Sequence, residues 1–291
     1  MTVSSPPGSF ASTELRHMAG RSRRSVLAAL AWKLARPQVR PVAHFLLPAG
    51  FPLAVLIAWQ VTSANNWLPV QILPAPATVL SSFWDLVTGG EIIANLQISF
   101  WRISLGLAVG GLAGLAFGTL LGLSRAVDQM FGPLFKALAQ VPSLGWVPIL
   151  ILIFGLDEML KIIIIAKACF VPIVLATSEG IRNVPRPYRE VAQVLRLRRR
   201  SVLTKLLIPA ALPTVFGGIR LALSHAWIAL IVVEMLAAAE GVGYMMVWGR
   251  TLFQIDIVIV GMLIIGAIGL LMDAGLTRIE RGMRRWEPTR A

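Results

Sequence analysis

Apolar and polar positions in this chain come in blocks, without the two-residue alternation of a half-buried strand. Apolar runs lie near residues 42–62, 98–123, 138–156, 162–179, 214–236 and 257–277. As helices rising about 1.5 Å per residue, each is long enough to cross roughly 30 Å of hydrocarbon, which predicts six membrane spans. Pro142 and Pro148 interrupt the third run, so a kinked or partly re-entrant helix is expected there. The second run carries Gly106, Gly110, Gly114, Gly118 and Gly122, one glycine at every fourth position. That stripe bares one helix face for close packing against a partner helix, in the same chain or in a second copy.

Composition agrees with the pattern. Of 291 residues, 56% are hydrophobic and 14% charged, too little polar surface to cover a soluble domain of that size. The net charge of +13 would suggest nucleic acid in a soluble protein, but its placement says otherwise. Seven Lys or Arg fall in residues 1–41, eight between Arg182 and Lys205, and five after Leu276, with none from Ser63 to Trp101. This is the positive-inside pattern: both termini and the 182–213 loop are expected in the cytoplasm, and 63–97 outside. The basicity marks topology, and no nucleic-acid partner is expected.

Residues 1–41 read as a retained basic cytoplasmic tail. It opens with SSPPGS, carries Arg16, Arg21, Arg23 and Arg24, and continues as VLAALAWKLA, which suits an amphipathic helix on the membrane surface. A twin-arginine signal in RSRRSVLAAL is the competing reading, but the next long apolar run spans instead of ending at a small-residue cleavage site. The first span is then 42–62, the main membrane domain 93–277 and a basic C-terminal tail 278–291. In the outward segment a short helix over Pro76–Val87 bears Phe83 and Trp84. It reads as an interfacial helix anchored by aromatics, or as part of a surface that receives a delivery protein.

Candidate chemistry is sparse. Cys169 is the single cysteine and lies in an apolar run, so no disulfide or thiolate metal site forms within one chain. His225, beside Ser224 in mid-span, has no nearby Cys, Asp or His to share a metal and suits a hydrogen bond between helices. No nucleophile–base constellation and no Gly-Lys phosphate-binding loop occur, so no catalytic residue and no cofactor are expected. Ionisable residues inside spans carry the functional candidates. Arg102 and Lys167 lie towards the outer part of their helices, where they either snorkel or form a cationic mouth for an anionic solute. Glu234 follows Trp227 by seven residues on one helix face, and either pairs with Arg102 across the bundle or lines the solute route. The candidate pathway set is thus Arg102, Lys167, Ser224, Trp227 and Glu234.

One polar stretch, EVAQVLRLRRRSVLTKLLIP at 190–209, sits between two greasy spans. Pro185 and Pro187 end the fourth span, after which YREVAQVL has helical character, with Glu190 in its first turn and Val191, Val194 and Leu195 on an apolar edge. A second helix beginning near Ser201 runs through LLIPAALP into the fifth span. A short helix tied rigidly to two spans is a lever that another protein can push.

These residues resemble the membrane-spanning permease subunits of bacterial ABC importers. The family signature is Glu-Ala-Ala, a Gly four residues beyond, and an Ile or Leu-x-Pro. Here Glu190, Ala192 and Pro209 match, while Val191 replaces the first Ala and Arg196 stands where Gly is expected. Such a Gly permits a sharp turn, so Arg196 is expected either to adopt a left-handed conformation, at about 1 kcal/mol, or to reshape the turn. Three further blocks, ILPAPATVLSSFWDLVTGG, VPSLGWVPILILIFGLDEMLKI and RLALSHAWIALIVVEMLAAAEGVGYMM, look like the subgroup that imports aliphatic sulfonates, taurine, nitrate and related anions, closest to the aliphatic-sulfonate permeases.

The resemblance implies an all-α integral membrane protein with a six-helix type I importer domain in the bacterial cytoplasmic membrane. It implies a second copy of the chain, two ATP-binding cassette subunits that hydrolyse ATP, and a periplasmic or lipoprotein solute-binding subunit. It also implies a coupling helix formed by Glu190, Val191, Ala192, Val194, Leu195, Arg196 and Leu197, with Pro209 completing the frame.

Overall fold

The computed structural model describes residues 41–283, of which 41–49 are described by backbone alone. The amino-terminal tail up to Arg40, with its surface-helix and signal readings, and the last residues of the carboxy-terminal tail lie outside the described residues. Among the described residues every regular element is helical: α1 (Pro41–Ala64), α2 (Pro76–Thr88), α3 (Glu91–Leu123), α4 (Arg125–Ala139), α5 (Val147–Phe154), α6 (Glu158–Arg182), α7 (Arg186–Val194), α8 (Arg199–Val202), α9 (Ile208–Ala237), α10 (Val242–Thr251) and α11 (Ile255–Met283).

Among the described residues four stretches are long and apolar enough to cross a membrane: Glu91–Leu123, Glu158–Arg182, Arg200–Ala237 and Ile255–Glu280. A fifth crossing is possible only as a broken one. The kinked or partly re-entrant helix expected at 138–156 takes the form of α4 and a 3₁₀ turn (Ser143–Trp146) leading into α5, bent by 90° from one to the other. The break has a plain cause. Pro142 has no N–H to continue α4 and pushes Val141 out of helical conformation, whereas Pro148 falls in the first turn of α5, where a proline costs nothing. The first expected span corresponds to α1, whose fully described part, Gly50–Ala64, is apolar.

Within residues 62–291, compact by themselves, α6 is the central rod. Leu160, Ile164, Ile165, Cys169, Ile173 and Val174 on it are at most 1% exposed. The glycine stripe of α3 packs directly on α6, which settles its partner as a helix of the same chain. A Cβ at Gly106 would lie 2.5 Å from Ile165 Cγ2, at Gly118 2.8 Å from Thr177 Cβ and at Gly122 2.9 Å from Ile181 Cβ, while one at Gly110 would overlap the Ala166 carbonyl. On the opposite side α9 closes on α6 through small residues: Gly218 faces Ala176, and Ala222, Ala226 and Leu230 are fully buried beside Ile165 and Cys169. Helices that meet at backbone distance make many dispersion contacts without a hydrophobic driving force between them.

α2 matches the helix expected in the 63–97 segment, one residue longer. Val79 and Leu86 are buried, Trp84 is exposed, and Ser82 Oγ donates to Asp256 Oδ2 at 2.5 Å, tying α2 to α11. α10, in the connection between the last two spans, was not anticipated.

Candidate functional site

The polar stretch between α6 and α9 forms a short helix and a capped joint, with boundaries that differ from expectation. Val184 is buried, and Pro185 precedes a helix that already starts at Arg186, taking Pro187 into its first turn. Proline needs no hydrogen-bond partner there, so it opens the helix instead of preceding it. Glu190 consequently lies beyond the first turn, where the dipole gives its carboxylate little, and it points to solvent. Ala192 is buried at 5% exposure, whereas Tyr188, Val191, Val194, Leu195 and Leu197 are all exposed. The short helix thus turns Ala192 inward, with Tyr188, Val191 and Val194 outward and Leu195 and Leu197 exposed just past its end, an apolar patch of the kind that marks interaction surfaces.

The end of α7 explains the residue that departs from the family signature. The Leu197 N–H donates to the Ala192 carbonyl at 3.1 Å and the Arg196 N–H to the Gln193 carbonyl at 3.0 Å. These paired bonds are a Schellman cap, whose penultimate residue must be left-handed. That residue is Arg196, with φ of +46°. The turn is therefore kept and Arg196 bears its strain, about 1 kcal/mol relative to glycine. Beyond it α8 passes through a widened π turn, Leu203–Leu207, into α9. The π turn spans Lys205, whose carbonyl would meet the Pro209 ring in a regular helix, so it relieves that clash. A cavity of about 480 Å³ lies behind the joint, lined by Gly122, Ile181, Ala192, Arg196 and Leu207 among others.

At the other end of α6, charged side chains from three helices converge. Arg102 Nη1 lies 2.9 Å from Glu234 Oε1, and Arg102 Nη2 lies 2.7 Å from Glu158 Oε1. Arg102 also donates through Nε to Glu158 Oε2 and through Nη1 to the Glu240 carbonyl. Lys161 Nζ adds a bond of 2.6 Å to Glu158. Glu234 further accepts from Ser99 Oγ at 2.8 Å and from the Gly243 N–H at 3.0 Å, and Asn95 Oδ1 accepts from the Gly241 N–H. Arg102 is 1% exposed and Glu234 0%. The expectation that Arg102 snorkels is thus corrected: the buried Glu234 and the half-exposed Glu158 hold its guanidinium inside the bundle. Of the two readings for Glu234, the pairing with Arg102 is the one observed.

Glu158, Ser99, Asn95 and the loop glycines escaped the sequence reading. The available signal was the Gly-x-Gly after Glu240. Gly241 has φ of +111°, and a Cβ there would sit 2.4 Å from the Glu234 carboxylate.

The remaining pathway candidates separate. Trp227 shares its helix face with Glu234 as expected, but is buried at 8% exposure with its ring 6.4 Å from that of Phe100. Ser224 is exposed and donates back to the Arg220 carbonyl, while Arg220 pairs with Asp273 at 2.7 Å and Glu280 at 3.3 Å. Lys167 stands apart from all of these. Its Nζ donates to the Val141 carbonyl at 2.9 Å, the acceptor freed by the break between α4 and α5, and lies 5.2 Å from the centroid of the Trp146 ring. It lines a second cavity, of about 350 Å³, together with His225. No group of three metal-ligating side chains occurs among the described residues.

A bundle of apolar helices with an exposed, rigidly mounted helix between two spans defines a multi-pass membrane transport component. The family described as the inner membrane component of binding-protein-dependent transport systems matches residues 106–285, and the chain belongs to it. It is 37% identical over 235 residues to the aliphatic sulfonates transport permease protein SsuC of Bacillus subtilis (strain 168), covering 81% of this chain and 85% of that one. To the protein of the same name from Escherichia coli (strain K12) it is 36% identical over 251 residues, covering 85% and 95%. Among solved structures, the inward-facing MetNI methionine ABC transporter superposes with a TM-score of 0.54 at 14% identity, covering 70% of this chain and 98% of that one. This likeness concerns the fold.

Proposed function

We propose that this chain is the membrane-spanning subunit of an ATP-driven importer of small anions, with aliphatic sulfonates as its solutes. Two copies pair, an ATP-binding cassette subunit docks on α7 of each, ATP is hydrolysed on those subunits alone, and a separate binding subunit delivers solute to the α2 side. Both termini and α7 then lie in the cytoplasm, in keeping with the eight Lys and Arg between Arg182 and Lys205. Taurine and nitrate are the competing solutes within the same class.

The observation that carries this reading is the lever. α7 exposes Val191, Val194 and Leu195 to a partner while a Schellman-capped joint and buried Val184 and Ala192 fix it to α6 and α9. A displacement imposed on α7 by nucleotide binding reaches both helices as a rigid shift, which suits alternating access. An ion-gradient transporter fits less well, because Glu234 and Asp273 are each engaged by an arginine.

The test is uptake of octane-1-sulfonate into proteoliposomes holding the assembled transporter. Uptake should require both ATP and the binding subunit. Exchanging Glu190→Lys, on the exposed face of α7, should lower uptake and ATPase stimulation at least about tenfold while membrane insertion is unchanged. Uptake on a proton or sodium gradient alone, or an unaffected Glu190→Lys transporter, would overturn the proposal.

A further inference from the structure

The cations inside the apolar helices have unequal fates. Arg102 and Arg220 are each held by two carboxylates. Lys167 has no carboxylate within ion-pair distance among the described residues. An ammonium carries three N–H donors, and the structure gives this one a single acceptor, the Val141 carbonyl, plus the face of an indole. Trp146 Nε1, on that same ring, is buried without an acceptor. A cation so placed, half-buried among apolar side chains, lacks a counter-charge, and even partial removal from water without one is unfavourable.

Its surroundings say what kind of counter-charge fits. The cavity of about 350 Å³ that Lys167 lines is open on one side and walled mostly by aliphatic side chains, including Val171, Leu175, Leu221 and Ile228. Ser143 and His225 are its other polar side chains. Pockets of this size and make-up, apolar with a few placed polar groups, are the usual form of a small-molecule site. The backbone bordering it at Val141–Leu144 is the break between α4 and α5, and irregular backbone inside a membrane protein is tolerated where it lines a cavity.

We propose that this cavity is a subsite for an amphipathic organic anion, its oxyanion head on the Lys167 ammonium and a short alkyl tail along Val171, Leu175, Leu221 and Ile228. The proposal rests on the reading of the chain as an anion importer permease and names where in the permease the solute pauses and which solutes it favours. A bare inorganic oxyanion of similar charge would leave the aliphatic walls unused, so the cavity selects for the tail as well as the head.

Calorimetric binding of methane-, butane- and octane-1-sulfonate to the purified transporter, without its binding subunit, tests this directly. The wild type should bind more tightly as the tail lengthens. Lys167→Met should weaken octane-1-sulfonate by about tenfold or more, and Lys167→Arg, which keeps the charge, should stay within about threefold. Leu175→Gln, which leaves the cation in place, should flatten the dependence on tail length, and it keeps the test decisive if Lys167→Met fails to assemble. Absence of binding by the wild type, equal affinity in Lys167→Met, or affinity indifferent to tail length would each overturn the subsite. Absence of ATP-dependent uptake by the wild type would instead sink the importer reading.

Discussion

The ion network around Arg102 and Glu234 makes a quantitative prediction about what holds the three central helices in register. Exchanging Glu234→Ala removes the acceptor for Ser99 Oγ, Arg102 Nη1 and the Gly243 N–H at once. Breaking a buried ion pair by deleting one partner costs about 3–5 kcal/mol, because the other charge is left uncompensated. Arg102 keeps Glu158 and the Glu240 carbonyl, so the lower end, about 3 kcal/mol, is expected. At about 2–4 °C per kcal/mol for a bundle of this size, the melting temperature of the detergent-solubilised chain should fall by about 10 °C. Glu234→Gln, which still accepts from Ser99 and Gly243, should lose about half as much.

The double exchange Arg102→Met with Glu234→Met discriminates an interacting pair from two independent packing defects. Removing both charges together leaves neither stranded, so the double variant should be more stable than the sum of the two single losses by more than about 1 kcal/mol. Size-exclusion chromatography after a temperature ramp reads all four proteins. Simple additivity, or a Glu234→Ala chain melting within about 2 °C of wild type, would refute the assignment of this network as a structural lock.

Two further exchanges probe backbone geometry. Gly110→Val should abolish recovery of monodisperse protein, since its Cβ meets the Ala166 carbonyl and backbone cannot give way; Gly111→Ala, whose Cβ would sit 3.6 Å from Ile173 Cδ1, should be recovered as well as wild type. Arg196→Gly should retain uptake and change stability by less than about 1 kcal/mol, because relief at φ of +46° is offset by greater freedom in the unfolded chain; Arg196→Val should lose uptake and ATPase stimulation together.

What could be read from the sequence follows from how local each signal is. The long helices announce themselves because twenty apolar residues suit little but a span, and the glycine stripe of α3 announces a close approach because a four-residue step stays on one face. The stripe does not say which helix approaches; that depends on packing, and it proved to be α6. The short helix between the fourth and fifth spans was legible from its motif, and the left-handed Arg196 is one of the two outcomes that the glycine expected there left open. Its start lies two residues earlier than expected, because Pro187 reads as a breaker when it is an opener. The ion network was only half legible. Arg102 and Glu234 are conspicuous in apolar runs, but Glu158 sits at a helix start where a carboxylate is ordinary, and Ser99 and Asn95 look like surface polar residues of α3. Only the fold shows that a single arginine is shared by two carboxylates, and that among the described cations of α3, α6 and α9 Lys167 is the one without such a partner.

The three sites are not independent, because one helix carries them all. α6 begins at Glu158 in the ion network, passes Lys167 at the cavity, and ends at Arg182, where Val184 and Pro185 lead into α7. Along this length it touches α3 through glycines and α9 through Gly218 and the buried alanines, at distances where no side-chain rotamer can absorb a shift. Close-packed helices of this kind move as bodies. The network pins the far end by charge, and the near end leads through buried Val184 and Pro185 into α7, whose own C-terminus is the capped joint. A push on α7 then has few soft elements to dissipate in, except the break between α4 and α5, which Lys167 bridges with one hydrogen bond to Val141. On this reading the weakest link in the rod's surroundings is the wall of the cavity itself, so motion of the lever is converted first into a change of shape around Lys167, the place where a bound anion would feel it.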